Sequence, residues 1–197
     1  MAKNGFKAFD SDMHVYDHPD LYTKYMNPKW GERVPVAKGW NKHGRPQFSI
    51  GGGTKLRPRE ALLDYGEQRV EERYGFALAR GYDAVSQVQA MDMEGLDVAV
   101  LFRTSPLHCD ESFEPEYAND LCKAWNSWIA DFCRVSPKRL KASALITLHD
   151  VDLAIEEVRR AVNELGVAAL SLCPEPINGK FIHDRHFDPL WAEIEKL

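Results

Sequence analysis

Residues 142–173 read ASALITLHDVDLAIEEVRRAVNELGVAALSLC. Ala142 to Leu148 is a short, continuous apolar run of the kind found in strands buried on both faces, and Val167 to Cys173 repeats it. Between them, Asp152 to Leu165 carries Leu153, Ala154, Val158, Ala161 and Leu165 along one side at helical spacing, and Gly166 stops the pattern. Strand, helix and strand in that order make one parallel βαβ unit.

The same alternation extends outward. Asp97 to Phe102 (DVAVLF) is a β-branched run, joined to the quoted unit by Glu116 to Val135. That helix places Tyr117, Leu121, Trp125, Trp128 and Phe132 at spacings of three and four, with Pro115 before it and Pro137 after it. Asp83 to Glu94 forms an earlier helix, with Val85, Val88 and Met91 three apart and Gly95 as its cap. Phe187 to Leu197 forms a last one, with Phe187, Leu190, Trp191 and Ile194. The first strand is Lys7 to Tyr16 (KAFDSDMHVY), where Phe9, Ser11, Met13 and Val15 alternate with Ala8, Asp10, Asp12, His14 and Tyr16. Between the first strand and its helix lie residues 17–80, rich in Pro, Gly, aromatic and basic residues. A connection that long is expected to be a lid over the C-terminal ends of the strands. Gly51–Gly53 within it reads as a flexible turn, because no Gly-Lys-Ser/Thr follows to make a phosphate loop. With the insertion set aside, four units of about 33 residues remain, close to the roughly 31 per unit of an eight-unit barrel. The expected fold is therefore α/β of the (β/α)₈ TIM-barrel type. On that reading residues 1–197 supply about the first four βα units of a single domain, with a long β1–α1 insertion.

Composition fits a globular chain: 197 residues, 44% hydrophobic and 28% charged. Lys and Arg number 25 against 30 Asp and Glu, a net charge of -5 without long runs of one sign, so neither nucleic acid nor a membrane surface is an expected partner. The polar N-terminus and the lack of any long apolar stretch lead to a cytoplasmic expectation. Cys109, Cys122, Cys133 and Cys173 include no Cys-x-x-Cys pair and read as reduced packing residues.

Asp12 and His14 lie two apart near the end of the first strand, so both leave one face where barrel enzymes build their sites. A carboxylate and an imidazole at that spacing can share a divalent ion. The alternative is that Asp12 caps the next turn and His14 is a hydrogen-bonded interior histidine. Arg103 and Thr104 follow the second strand and His149 and Asp150 the third, positions that face the same mouth. Arg103 there would bind a substrate carboxylate, with a salt bridge at the surface as the alternative. His149 would shuttle a proton, or else simply mark the start of the next helix. His108, His183 and His186 sit in loops and read as solvent-exposed, while Trp125 and Trp128 read as core.

FDSDMHVYDHPDLYTKYM, QAMDMEGLDVAVLF, ANDLCKAWNSWIADFCRVSPKRLKASALITLHD and LGVAALSLCPEPINGKFIHDRHFDPLWAEIEKL, in that order, resemble consecutive blocks of the amidohydrolase-related family. The resemblance implies a barrel holding a divalent metal, zinc or manganese with iron as a further option. Its chemistry would be hydrolysis, or non-oxidative decarboxylation of a small carboxylated or cyclic substrate. Asp12 and His14 stand where much of the family has His-x-His, and the carboxylate makes the site harder, favouring Mn, Fe or Zn. The family's later His ligands lie on its fifth and sixth strands and its Asp on the eighth, whereas the four predicted units end at Leu197. Two other readings follow: oxygen activation at a di-iron or Mn/Fe centre on the same fold, or a half-barrel that works by association. Either way four parallel strands leave two open edges, so a second half is expected: another copy, a separate half-barrel polypeptide or a continuation of the chain.

Overall fold

The computed structural model describes residues 5–40, 46–50, 54–55, 67–104 and 110–197. In chain order its strands are β1 (Phe9–Val15), β2 (Val36–Trp40), β3 (Pro46–Ile50), β4 (Thr54–Lys55), β5 (Val98–Arg103), β6 (Leu140–Ile146) and β7 (Ala169–Leu172). Its helices are α1 (Leu21–Tyr25), α2 (Glu67–Ala79), α3 (Ala84–Glu94), α4 (Pro115–Cys133), α5 (Val151–Asn163) and α6 (Asp188–Ile194). The main sheet has the order β1-β5-β6-β7 with every pair parallel, and helices α3, α4 and α5 connect successive strands. This is half of a (β/α)₈ barrel, as expected from the alternation of apolar runs and helices.

Local chemistry sets the helix ends. The Asp83 carboxylate accepts from the Ser86 amide at 2.8 Å and starts α3, and Gly95 ends it in the left-handed region at φ 73°. The Asp150 carboxylate accepts from the Leu153 amide at 2.9 Å and starts α5. Asp150, expected to face the mouth, is thus spent as a helix cap.

Ala99 and Leu101 of β5 share a buried core with Leu121, Trp125 and Ile129 of α4. Alternation then turns Val98, Val100 and Phe102 to the opposite, helix-free face. Toward its C-terminal end β5 parts from β6, the last paired residues being Leu101 and Ala142. Side chains of α4 satisfy the strand beyond that point. Trp125 Nε1 donates to the Ser143 carbonyl at 3.3 Å, and Asn126 both accepts from the Leu145 amide at 2.7 Å and donates to the Leu145 carbonyl at 2.9 Å. Cys122, Cys133 and Cys173 are buried free thiols, and Trp125 and Trp128 are core residues, in line with the sequence.

The described contacts of the insertion with α4 run from its first turn, at the rim of the strand ends, to its last, at the opposite rim, so they do not cover the strand ends alone. Leu21 and Tyr22 are fully buried, and the Tyr22 ring meets Phe48 of β3 edge-on at 5.4 Å. Tyr25 donates to Asp131, near the end of α4 and therefore at the rim opposite the strand ends. Trp30 Nε1 donates to Asp120 at 2.7 Å, Tyr117 donates to the Arg33 carbonyl at 2.7 Å, and Lys29 and Arg33 pair with Glu116 and Glu114. The cause is a match of aromatic and basic residues on the insertion with the acidic outer side of α4. Gly51–Gly53, His108 and Cys109 lie outside the described residues. His183 and His186 are exposed, as read.

Candidate metal centre

The end of β1 is shaped by an irregularity. Asp10 is paired with Ala99 and Met13 with Leu101, so β1 spends three steps where β5 spends two. This is a bulge at Ser11 and Asp12, and the Asp10 carboxylate holds it by accepting from the Asp12 amide at 2.9 Å. The strict alternation read over Lys7–Tyr16 therefore breaks at the bulge. Asp10 shares the helix-facing side of Ala99, whereas His14 lies beside Phe102 on the helix-free face.

Asp12 and His14 converge. Asp12 Oδ1 lies 3.3 Å from His14 Nε2, with side-chain exposures of 80% and 50%. His14 Nδ1 is 3.1 Å from the Arg103 carbonyl, and a carbonyl only accepts, so Nδ1 carries the hydrogen in this contact. The neutral ring then turns the Nε2 lone pair toward a carboxylate oxygen. Two facing lone pairs at that distance call for a cation, either a proton or a metal ion. Neighbouring donors on an ion with bonds of about 2.0–2.2 Å stand about 3.0–3.5 Å apart, so the pair fits a shared metal. The backbone contact on Nδ1 is the kind of outer support that fixes ligand histidines. Among the described residues no group of three or more His, Cys, Asp or Glu is placed to hold an ion, so this chain contributes a pair of donors here.

The other polar candidates are placed differently. Arg103 does not face the mouth, because alternation sets it with Ala99 and Leu101 on the helix side. Nor is it a surface salt bridge: its side chain is 2% exposed and Asp17 is 8% exposed. Nη2 donates to Asp17 at 2.6 Å and Nε lies 3.2 Å from both carboxylate oxygens, while the guanidinium lies 5.7 Å from the Tyr22 ring and 5.6 Å from the Trp125 ring. Burial works against the charge, but Asp17 outweighs it and the guanidinium is held above its ordinary pKa. Nothing in the sequence signals Asp17 as its partner. Thr104 donates to the Val15 carbonyl at 2.9 Å.

His149 is nearly buried and both ring nitrogens are engaged. Nε2 is 2.9 Å from the Asp110 carbonyl and Nδ1 is 2.6 Å from Thr147 Oγ1. The carbonyl requires the hydrogen on Nε2, and Nδ1 of the neutral ring accepts from Thr147. His149 thus ties the end of β6 to the segment after β5.

The amidohydrolase family model matches residues 83–197. A 2-amino-3-carboxymuconate-6-semialdehyde decarboxylase of Dictyostelium discoideum is 28% identical over 116 residues, which cover 59% of this chain and 32% of that protein. A gamma-resorcylate decarboxylase of Rhodococcus jostii is 31% identical over 119 residues, 56% of this chain and 36% of that one. The match to each of these relatives spans about a third of the relative's length. The crystal structure of a 5-carboxyvanillate decarboxylase from Novosphingobium aromaticivorans, with bound manganese, superimposes with a TM-score of 0.61 at 20% identity, covering 98% of this chain and 49% of that one. The family match begins at the cap of α3, after Asp12 and His14, and the structural likeness extends the shared fold to β1. With more than half of its length matched by the family model and its four strands in barrel order, this chain belongs to the amidohydrolase family.

Proposed function

We propose that this chain carries the first-strand metal donors of a divalent-metal-dependent enzyme that removes CO₂ from a small cyclic or unsaturated carboxylate, hydrolysis being the sister chemistry of the fold. The observation that carries the reading is the His14 imidazole, fixed through Nδ1 so that Nε2 faces Asp12 at 3.3 Å. The decarboxylase names of the relatives support the choice of reaction, and the manganese bound by one structural neighbour supports a hard divalent ion such as Mn or Zn. Asp12 and His14 would hold the ion, which when bound supplies a Lewis acid for a substrate oxygen or water. Asp12 brings one negative charge to the site, and His14 keeps a single ring orientation through the Arg103 carbonyl. Phe102, its ring 6.3 Å from that of His14, gives the adjoining wall an apolar surface against which a planar substrate can lie. His149 anchors the rim at Asp110. The remaining donors come from outside the described residues. β1 and β7, the terminal strands of the described sheet, would take further neighbours from additional barrel units, whether in a continuation of this chain, a second copy or another polypeptide.

The test is titration of the chain with Mn²⁺ and Zn²⁺ by calorimetry, beside Asp12→Ala and His14→Ala. About one equivalent should bind to the unaltered chain, and each substitution should weaken binding at least tenfold. Binding unaffected by both substitutions, or none in the unaltered chain, overturns the reading.

A further inference from the structure

The bulge at Ser11 and Asp12 raises a question of register. A parallel strand with an extra residue has lost its count against its neighbour, and a slip by one residue beyond the bulge would exchange His14 for Val15 on the helix-free face. Three contacts just past the bulge join β1 to β5. The His14 imidazole binds the Arg103 carbonyl, Thr104 Oγ1 donates to the Val15 carbonyl, and the Arg103 guanidinium clasps Asp17. Two of the three involve Arg103, which is the register partner of Val15. Its carbonyl serves the metal side of the strand and its side chain serves the helix side.

We propose that Arg103 and Asp17 are positioning residues for His14, setting the orientation in which its imidazole meets a divalent ion. This deepens the metal reading above and rests on it. The buried pair is poorly arranged for stability alone. Among the described residues Arg103 Nη1 has no hydrogen-bond partner, nor has the buried hydroxyl of Tyr22 beside it, and a well-packed apolar pair of similar volume would serve a core as well. An apolar pair would slide, however. A clasp on two carboxylate oxygens fixes Asp17 along the strand direction, and Asp17 lies three residues beyond His14 on the same run of backbone. Slippage or rotation at β1 must break that clasp.

The experiment uses the full chain and the variants Asp17→Asn, Arg103→Lys and Thr104→Val, each checked for its native circular dichroism. Nitrogen-15 correlation spectra report the imidazole tautomer of His14 without metal, and Mn²⁺ titration reports affinity. In the unaltered chain His14 should show hydrogen on Nδ1. Asp17→Asn should mix the two tautomers and weaken Mn²⁺ binding about 10- to 100-fold, the range seen when the outer support of a metal ligand is lost. Arg103→Lys, which keeps the charge and the carbonyl, should fall between, and Thr104→Val, which spares the pair and is the least disruptive, should show a smaller change in the same direction. Folded variants with an unchanged His14 tautomer and Mn²⁺ affinity within twofold would overturn the proposal. Should the unaltered chain bind no Mn²⁺, the metal reading fails, while the tautomer still decides whether Arg103 and Asp17 position His14.

Discussion

Asn126 is fully buried on α4 and spends its whole amide on two neighbours. Its oxygen accepts from the Leu145 amide, and its nitrogen donates to the Leu145 carbonyl and, at 2.6 Å, to Glu157. Asn126→Ala strips both backbone groups of Leu145 of a partner at a point where β5 has left the ladder. Each buried unsatisfied group costs about 1–3 kcal/mol, so the pair should cost about 2–6 kcal/mol, and Glu157 adds little because Arg160 still holds it through two contacts at 2.7 Å. Against a domain stability of about 5–15 kcal/mol this is a severe loss. With a slope near 2 kcal/mol per molar urea, a mid-range cost of about 4 kcal/mol lowers the unfolding midpoint by about 2 M. Equilibrium urea unfolding, followed through the fluorescence of the adjacent Trp125, measures it. Asn126→Asp keeps the acceptor for the Leu145 amide but sets a second carboxylate against Glu157, and should be worse than alanine. A midpoint shift under about 0.5 M for Asn126→Ala with the slope unchanged, or an aspartate variant more stable than the alanine one, refutes the assignment of Asn126 as a substitute strand partner.

Two further outcomes follow from titrating groups. Glu193 of α6 is held by Arg159 of α5 at 2.7 Å and by Lys196 at 3.1 Å, which together bring its carboxyl down to about 2 from 4.5. A lowered native value means that the α5–α6 contact is fully supported above about pH 4.5 and weakens as the pH falls toward 2; a shift in Trp191 emission over that window should vanish in Glu193→Gln, and its persistence there would assign it to another group. Burial raises the thiols of Cys122 and Cys133, the latter to about 12, so with the buried Cys173 they should stay unmodified by a disulfide reagent at pH 8 until denaturant is added. Fast native labelling of any of the three would contradict this.

The strands were legible because apolar runs such as DVAVLF and ASALITL have no other stable use between helical patterns. Their ends moved by only one or two residues, and those of the helices by at most three, since caps such as Asp83, Asp150 and Gly95 announce themselves. That Asp12 and His14 come together was legible from spacing, although the bulge that aims Asp12 was not, because an extra residue leaves no mark in a strand that still reads polar and apolar in turn. Arg103 was misplaced for a related reason: in Val98–Phe102 every residue is apolar, so nothing distinguished the face that meets α4 from the one that meets His14. Asp17 lies 86 positions away and no local pattern names it. The path of the insertion along α4 did leave a signal, in the facing charges of Lys29 and Arg33 against Glu114, Glu116 and Asp120, but only pairing across the chain reveals it.

The early end of the β5–β6 ladder at Leu101 and Ala142 has a mechanical consequence. Below that point the spacing of the two strands is dictated by backbone hydrogen bonds and cannot vary. Above it β6 is held instead by a tryptophan and an asparagine side chain reaching in from α4, on the rim that carries Asp12 and His14, and the grip on that stave becomes a quantity that point mutation can adjust. A side chain at position 126 that cannot bond Leu145 would loosen the stave there without touching the ladder below. In this half-barrel, the upper part of one stave is held from a helix on the outside wall.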